Sequence, residues 1–274
     1  MPPQSQRSDR NPKEKTVLLA VFDILGFSNR VRETSLSEVL DTYNMLRERT
    51  VKRYELWSLD LLKIDNVRAP AILRLHVDSV VYSDSVLAWV PMKRGFTSPF
   101  LRWCCEFVCE GLDINVPIRG AIAAGNAVLE TDSNTFLGTP IVEAHELEAN
   151  QDWIGLAFSH SAMWPPLIAD ITPELLMEYK VPIKEGVAEP ISPDWPRIWR
   201  SHHNDECPSA KLRGLANAQR PKFRKYYLNA AQFAEHSCNN SNWYNEPQPE
   251  DALLKMRPYE EVIDEVRRSE AKRS

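Results

Sequence analysis

The feature that most constrains the fold is an uninterrupted apolar run over residues 16–24, which reads TVLLAVFDI. A short run without polar alternation is typical of a central strand that is buried on both faces. The run nevertheless contains Asp23 near its end, and Gly26 follows three residues later. Because burying an unpaired carboxylate is costly unless the group neutralises, Asp23 needs a partner from elsewhere in the chain.

The elements after this run follow a regular order. Ser35 and Glu38 form a capping box at the start of a first helix, whose apolar residues repeat at helical spacing. The order β, α, β, β, α, β predicts a ferredoxin-like α/β (α+β) sandwich, with helices on one face of a mainly antiparallel sheet. The later elements are predicted as a hairpin with strands over 71–82 and 85–90, a helix opening near Pro99, a strand closed by a turn at Gly125 and Asn126, a helix over 139–150 and a strand over 153–159.

Composition divides the chain into three predicted regions. Residues 1–14 are polar and lack apolar periodicity, so we expect them to be disordered. Residues 15–184 hold the strands and helices of the sandwich, and we expect one domain there. From about residue 185 prolines and tryptophans cluster, and helical patterns occur near 209–219, near 224–237 and after Pro258. These patterns predict a partly helical C-terminal extension over residues 185–274.

Charge and hydropathy exclude several classes of function. The 274 residues carry a net charge of -5, which gives no general attraction to nucleic acid. No apolar run approaches the length of a membrane span, and the polar N-terminus lacks the apolar segment of a signal peptide. We therefore expect a cytoplasmic protein that binds neither nucleic acid nor membrane. The five cysteines include the adjacent Cys104 and Cys105, and their simplest interpretation is as reduced structural thiols.

Two further clusters have weaker interpretations. His202, His203, Asp205 and Cys207 are of metal-ligand type, but no second ligand cluster accompanies them at a recognisable spacing. Residues 220–227, RPKFRKYY, interleave basic and aromatic side chains. They fit a solvated helix start, with an arm that contacts a phosphate or a partner as the alternative.

Asp84 is the predicted partner of Asp23. In a ferredoxin-like order the end of the first strand lies beside the turn between the second and third strands, where Ser83 and Asp84 stand. Two carboxylates at one sheet edge suit Mg²⁺ or Mn²⁺, hard cations that take oxygen ligands and leave positions for phosphate. The carbonyl of Ile24 is a natural third ligand, and Gly26 permits a close turn. Two such ions, about 3.5–4 Å apart, stabilise the attacking and leaving oxygens of an in-line displacement at phosphorus.

These segments resemble a known family. Residues 22–28, FDILGFS, are similar to the metal-binding first strand of class III nucleotidyl cyclases, F-x-D-I-x-G-F-[ST]. The one difference is that Phe22 directly precedes Asp23, whereas the family pattern has one residue between its Phe and its Asp. YSDSV at 82–86 is similar to their hairpin turn, and IRGAIAAG at 118–125 and FLGTPIVEAHELE at 136–148 are similar to a later strand and helix. The resemblance covers residues 16–160. It implies a phosphorus–oxygen lyase that holds two divalent ions and works as a homodimer with sites at the subunit interface.

The chain departs from purine-specific cyclases at four positions. Val80 and Thr135 stand where those enzymes carry base-selecting residues, and Val142 and Glu146 stand where they carry the transition-state Asn and Arg. With its RGAI strand, and AHELE followed by QDWIG, the chain resembles the pyrimidine cyclases of bacterial Pycsar anti-phage systems. That resemblance implies Mn²⁺-dependent cyclisation of UTP or CTP to cyclic UMP or cyclic CMP. The product would activate a separate cyclic-nucleotide-binding effector in antiviral defence.

The implied mechanism needs a cation and a contact for the base, and the chain offers one candidate for each. Arg119 is the candidate for stabilising charge on the transferring group, supplied across the dimer; the alternative is a surface strand residue that pairs with an acid. Tyr82 is the candidate for stacking on or bonding a small base, and the alternative is a β-former that packs a half-buried surface. The other expected substrate contacts come from the first strand and from backbone amides that face the polyphosphate: Phe22, Leu25, Gly26, Phe27 and Ser28.

Three functional hypotheses follow. The first is a pyrimidine cyclase, with uridylate cyclase placed before cytidylate cyclase. The sequence leaves CTP open as the alternative substrate, because exocyclic O and N differ by one donor–acceptor reversal that a few unplaced polar groups read either way. The second is a catalytically silent cyclase-like module that dimerises and binds a nucleotide or regulates a partner; such a module has no reason to keep both carboxylates. The third is an ordinary adenylate cyclase, which Val80 and Thr135 disfavour.

Overall fold

The structure is a computed structural model that describes residues 13–64 and 76–242. Its strands are β1 (Glu14–Ile24), β2 (Asp78–Tyr82), β3 (Ser85–Pro91), β4 (Ile118–Glu130), β5 (Thr135–Gly138), β6 (Gly155–Phe158), β7 (Leu176–Glu178) and β8 (Ile191–Pro193). Its α-helices are α1 (Phe27–Glu33), α2 (Leu36–Ile64), α3 (Thr97–Asp113), α4 (Thr139–Asn150), α5 (Pro165–Ala169), α6 (Trp195–His202), α7 (Ser209–Asn217) and α8 (Pro221–Asn239).

One large sheet organises the molecule. Its strand order is β2-β3-β1-β4-β5, and β6 also pairs with β4. The β4–β6 pair is parallel and the other pairs are antiparallel. With the helices between the strands this is the ferredoxin-like βαββαβ arrangement, so the predicted mixed α+β fold class is confirmed. The helices α6, α7 and α8 follow it in the chain.

β1 is the central strand and is buried on both faces, as its unbroken apolar run predicts. Its even-numbered residues, such as Phe22, belong to a large core that includes α3. Its odd-numbered residues, such as Leu19 and Val21, belong to a second core, in which Ala144 of α4 packs. Helices therefore lie on both faces of the sheet, and the prediction of helices on one face was wrong. Because side chains alternate along a strand, Asp23 points to the α4 side.

Local sequence signals located several element ends. The backbone N–H of Glu38 donates to the Ser35 hydroxyl at 3.2 Å, so the capping box is confirmed. The helix predicted over residues 139–150 coincides with α4. The turn predicted at Gly125 was wrong: β4 continues through it, because β1 pairs with β4 along its own whole length. The part of the predicted hairpin over residues 71–75 lies outside the described residues.

The described part of the C-terminal region packs on the same core as the sheet. The Phe233 ring of α8 meets the Trp153 ring, just before β6, with their centroids 4.9 Å apart. The helices predicted near 209–219 and 224–237 are α7 and α8, whereas α6 was not predicted. The predicted helix after Pro258 lies outside the described residues, and the division of the chain at residue 185 stays a prediction.

The described part of the chain begins within the N-terminal segment that was expected to be disordered. Residues 1–12 of the segment expected to be disordered lie outside the described residues, and Glu14 already belongs to β1.

Neither described range contains a helix that is both long and apolar enough to cross a membrane.

Candidate functional site

Asp23 and Asp84 lie on neighbouring elements at one edge of the sheet. Asp23 is the penultimate residue of β1 and is paired with Ser85 of β3. Asp84 precedes Ser85 in the turn between β2 and β3, and its carbonyl accepts a hydrogen bond from the Ile24 N–H at 3.0 Å. Backbone pairing, and not a flexible side-chain contact, therefore holds the two aspartates side by side.

The turn that carries Asp84 is fixed by a tyrosine from α2. Ser83 has a left-handed backbone, with φ 53°, and its carbonyl accepts a hydrogen bond from the Tyr43 hydroxyl at 2.6 Å. Burial raises the pKa of Tyr43 well above its usual value, and the charges of Asp84 and Asp23 raise it further. Tyr43 thus lies close to both carboxylates as a neutral donor. The sequence indicated it only as an apolar position of a helix.

Asp23 stands in a negative and partly desolvated environment. Burial raises its pKa to about 6, with a further increase from the charge of Glu148 and a smaller one from Asp84. The Arg119 guanidinium opposes this shift but does not cancel it. An acid in this state gains from a nearby cation.

Arg119 is the residue directly opposite Asp23 on β4. Its Nη2 is 3.4 Å from the Asp23 Oδ2, its Nε donates to the Glu148 Oε1 at 2.6 Å, and its Nη1 donates to the Gln151 carbonyl at 2.9 Å. The residue is only 8% exposed. Arg119 therefore pairs with acids of its own chain, as the alternative interpretation has it, but it is buried and not on the surface. Its expected role across a dimer stays a prediction.

Glu148 is, besides Tyr43, a site residue that the sequence analysis missed. It lies on α4, is 3% exposed, and connects that helix to the strand that carries Arg119. Its only sequence signal is its place at the end of AHELE, because a Glu in a helix is otherwise ordinary. Its carboxylate balances the guanidinium, so the charges of Asp23 and Asp84 remain in excess when all four groups are ionised.

The donor set at this edge fits a substrate-assisted metal site. Across residues 13–64 and 76–242, no group of three or more His, Cys, Asp or Glu side chains is arranged to hold a metal ion. The chain thus offers two carboxylates and nearby backbone carbonyls. Mg²⁺-type sites that act on nucleotides commonly use one or two carboxylates and complete their coordination with substrate phosphates and water. The residues present are compatible with such an ion.

Two of the expected substrate contacts are not available. Phe22 is fully buried on the α3 side of the sheet, where its ring lies 4.7 Å from that of Phe107, so the expectation that Phe22 contacts substrate was wrong. The Leu25 N–H donates to the Pro117 carbonyl at 3.0 Å and is not free to bind a phosphate. Both differences follow from β1 itself, because alternation turns Phe22 away from Asp23 and the end of the strand is still hydrogen-bonded.

The other expected contacts lie near the sheet edge. Gly26 has φ 81° and is exposed, with open space where a side chain would begin. Phe27 begins α1 and its ring lies 5.9 Å from that of Tyr43. Ser28 is the second residue of α1. Tyr82 is 45% exposed, and its ring meets that of Phe136 edge-on at 5.6 Å.

The four positions that depart from purine cyclases have ordinary environments. Val80 packs against the second core, and Thr135 accepts a hydrogen bond from the Ser133 hydroxyl. Val142 and Glu146 are exposed on α4.

Two of the remaining candidate clusters, the cysteines of α3 and the two histidines near residue 202, are explained by packing. Burial raises the pKa of Cys104 and Cys105 well above the usual value, as expected of structural thiols. His202 bonds to Glu106, whereas His203 contacts Asp113, so the two histidines have separate carboxylate partners.

The chain has distant structural similarity to several solved cyclase structures. The chain is similar to the guanylyl cyclase Cya2 at 10% identity, over 66% of this chain and 91% of the other, with a TM-score of 0.38. It is similar to a bacterial light-regulated adenylyl cyclase at 16% identity, over 71% and 100%, with a TM-score of 0.36. It is also similar to a class III adenylyl cyclase-like ATP-binding protein from Pseudomonas aeruginosa at 15% identity, over 83% of this chain and 44% of the other, with a TM-score of 0.34. No protein-family model and no curated protein matches the sequence.

Proposed function

We propose that this chain is a nucleotidyl cyclase that converts UTP to 3′,5′-cyclic UMP and pyrophosphate. The observation that supports this most directly is the aspartate pair at the sheet edge, in which the Ile24 N–H binds the Asp84 carbonyl and sets Asp23 beside it. A fold that only needed stability would gain nothing from placing two acids there with Glu148 close by.

Asp23, Asp84 and the Ile24 carbonyl would hold Mn²⁺ or Mg²⁺, two ions per site. When bound, the ions supply charge stabilisation to the attacking and leaving oxygens and to the phosphates. The chain's own residues orient these ligands. The bond between β1 and the β2–β3 turn fixes the spacing of the carboxylates, and the Tyr43 hydroxyl restrains the turn through Ser83.

The proposed reaction is an intramolecular phosphoryl transfer. The ribose 3′-OH attacks the α-phosphorus, its proton leaves to solvent or base, and the bond from the α-phosphorus to the pyrophosphate oxygen breaks. Arg119 places a fixed positive charge 3.4 Å from Asp23 and so contributes to the field in which charge develops. Tyr82, exposed at the same hairpin, is the proposed aromatic contact for the base.

The choice of a pyrimidine rests on Val80 and Thr135. A polar or charged side chain at these positions would be needed to read the edge of a purine. Val80 is apolar and packed, and the Thr135 hydroxyl is engaged with Ser133. CTP is the alternative substrate, because neither residue discriminates between uracil and cytosine.

The proposed activity can be tested directly with purified full-length protein. We would incubate it with each labelled NTP and Mn²⁺ and resolve the products. Asp23→Asn and Asp84→Asn should abolish product formation, whereas Asp78→Asn, an exposed aspartate on the same hairpin, should not. Cyclic UMP as the main product supports the proposal, and cyclic CMP supports the cytidylate alternative. No cyclic product from any NTP would contradict both and favour the silent module.

The proposed biological role is anti-phage signalling from a cytoplasmic homodimer. A separate cyclic-nucleotide-binding effector would receive the product. If the gene's neighbour encodes such an effector, bacteria that carry both genes should resist phage, and Asp84→Asn should remove that resistance. Unchanged protection with the variant would contradict the signalling role.

A further inference from the structure

The described C-terminal helix α8 reaches the back of the aspartate site. Lys225 bonds to the Asp152 carboxylate at 2.6 Å, and the Asn229 side-chain amide donates to the Asp152 carbonyl at 2.7 Å. Asp152 directly follows Gln151, whose carbonyl accepts a hydrogen bond from Arg119. Two side chains of α8 therefore hold the segment to which the guanidinium is bound.

A third side chain of α8 contacts the guanidinium itself. The Tyr226 ring centroid is 5.9 Å from the Arg119 Cζ, within cation–π range. The other neighbours of the guanidinium are Glu148, Gln151 and Asp23. Tyr226 is half-buried, and its ring adds an apolar surface to an otherwise polar environment. With the ring in place Arg119 is shielded from water, which strengthens its electrostatic interactions.

The helix is firmly attached at this point. Tyr227, next to Tyr226, is buried, and so are Ala230 and Phe233 one and two turns later. These contacts tie α8 to the core, so the packing of the helix sets the position of Tyr226, whose ring also lies near Lys225 and Phe223 of the same helix.

We propose that α8 is a positioning element of the Asp23–Asp84 site and that Tyr226 is a positioning residue that acts through Arg119. The catalytic consequence rests on the proposed cyclase function, whereas the effect on Arg119 does not. The helix lies outside the segments that resemble cyclases. In this chain, α8 would make the orientation of the Arg119 guanidinium depend on the C-terminal region.

The first measurement concerns Arg119 alone. In full-length ¹⁵N-labelled protein, the Arg119 Nε–H, which bonds to the buried Glu148, should give a slowly exchanging signal, assigned by its loss in Arg119→Lys. Tyr226→Ala should speed its exchange with water by about tenfold, since it removes the covering ring and opens a path for water. Tyr226→Phe keeps the ring and should preserve slow exchange.

The matched control is Leu228→Ala. Leu228 is an exposed apolar residue on the same helix, 38% exposed, so the substitution shortens an α8 side chain outside the Arg119 contact. It should leave the Nε–H exchange unchanged, and its thermal unfolding indicates how far a general loss of helix stability matters. Equal exchange in Tyr226→Ala and wild type, or equal acceleration in Leu228→Ala, would overturn the positioning role.

The second measurement concerns catalysis. Tyr226→Ala should lower kcat by about tenfold with little change in KM, because it disturbs charge placement and not substrate capture. Tyr226→Phe should restore kcat. An unchanged kcat alongside faster exchange would overturn the catalytic part. If the wild type forms no cyclic nucleotide, the proposed function fails, and the exchange measurement still decides whether α8 positions Arg119.

Discussion

Asp23 is kept at an energetic cost that the fold itself does not require. Its carboxylate is partly desolvated beside Glu148 and Asp84, and one guanidinium shared with Glu148 only partly compensates it. Residues that weaken the folded state in this way are common at functional sites, where they are retained for the chemistry. The cost is measurable because the pKa of Asp23 differs between the folded and unfolded chain.

The first prediction is a pH-dependent gain in stability for Asp23→Asn. The unfolded chain loses this proton near pH 3.8 and the folded protein near pH 6, so the contribution of Asp23 to stability falls as pH rises through this window. Between about pH 4 and about pH 7, the unfolding free energy of the variant relative to wild type should rise by about 2 kcal/mol, after allowance for solvent screening. Denaturant unfolding without metal measures it.

The control for this prediction is Asp78→Asn. Asp78 is exposed on β2, so its substitution removes a carboxylate without relieving a buried charge and should not give a comparable gain in stability. A constant difference between Asp23→Asn and wild type across the pH range would show that the environment of Asp23 does not raise its pKa.

The second prediction concerns divalent ions. A cation that binds the folded site but not the unfolded chain should raise the unfolding free energy by about 2.7 kcal/mol at a concentration a hundredfold above its Kd. Thermal unfolding with increasing Mn²⁺ measures this, and Asp84→Asn should remove most of the shift. A similar shift in wild type and variant would place the ion elsewhere.

At the scale of elements, a buried polar contact joins β4 to α4 at the site. Arg119 and Glu148 are both nearly buried and form an ion pair at 2.6 Å. Removing one partner of a buried ion pair leaves the other as an unpaired buried charge, which destabilises the fold. Replacing both partners by apolar residues of similar volume often leaves the stability unchanged. The pair is thus expected to matter for orientation more than for net stability.

The third prediction is strong non-additivity at this pair. Arg119→Met and Glu148→Leu should each lower the unfolding free energy by about 3 kcal/mol, and the double variant by about 1 kcal/mol or less. Urea unfolding of the four proteins gives the coupling energy. Additive losses would mean that the two residues stabilise the fold independently.

Sequence alone predicted the elements that depend on local signals. The apolar run of β1, the Ser35 capping box and the extent of α4 are each encoded by neighbouring residues. The turn at Gly125 failed because pairing with β1 overrides a local turn preference. The helix α6 was missed because its proline and its two tryptophans hide the helical pattern. Asp194 caps this helix by accepting a hydrogen bond from the Arg197 N–H.

The residues of the candidate site were likewise predictable only where the order of elements determined their positions. The neighbourhood of Asp23 and Asp84 followed from strand order, which the pattern of elements supplied. Period-two alternation already implied that Phe22 faces away from Asp23, and that signal was not used. Tyr43 and Glu148 were unpredictable because their roles depend on contacts between elements far apart in sequence.

For the whole molecule, the two faces of the sheet differ in how they are covered. The α3 face is covered by long helices and by the C-terminal region. The other face has α4 and a smaller core, and α4 exposes Val142 at 56% of its surface. An exposed valine on the helix that carries Glu148 is a natural contact for a second copy, in keeping with the proposed homodimer.

The fourth prediction is that Val142→Asp disrupts this dimer. A charge at an apolar contact between two copies would be desolvated on association, which opposes dimerisation by several kcal/mol. Light scattering should give twice the 31.5 kDa chain mass for wild type and the single mass for the variant. The matched control is Val187→Asp on a loop, where the valine is 90% exposed, and this variant should stay dimeric. If both variants keep the wild-type mass, α4 is not the contact surface. A monomeric wild type would contradict the proposed homodimer.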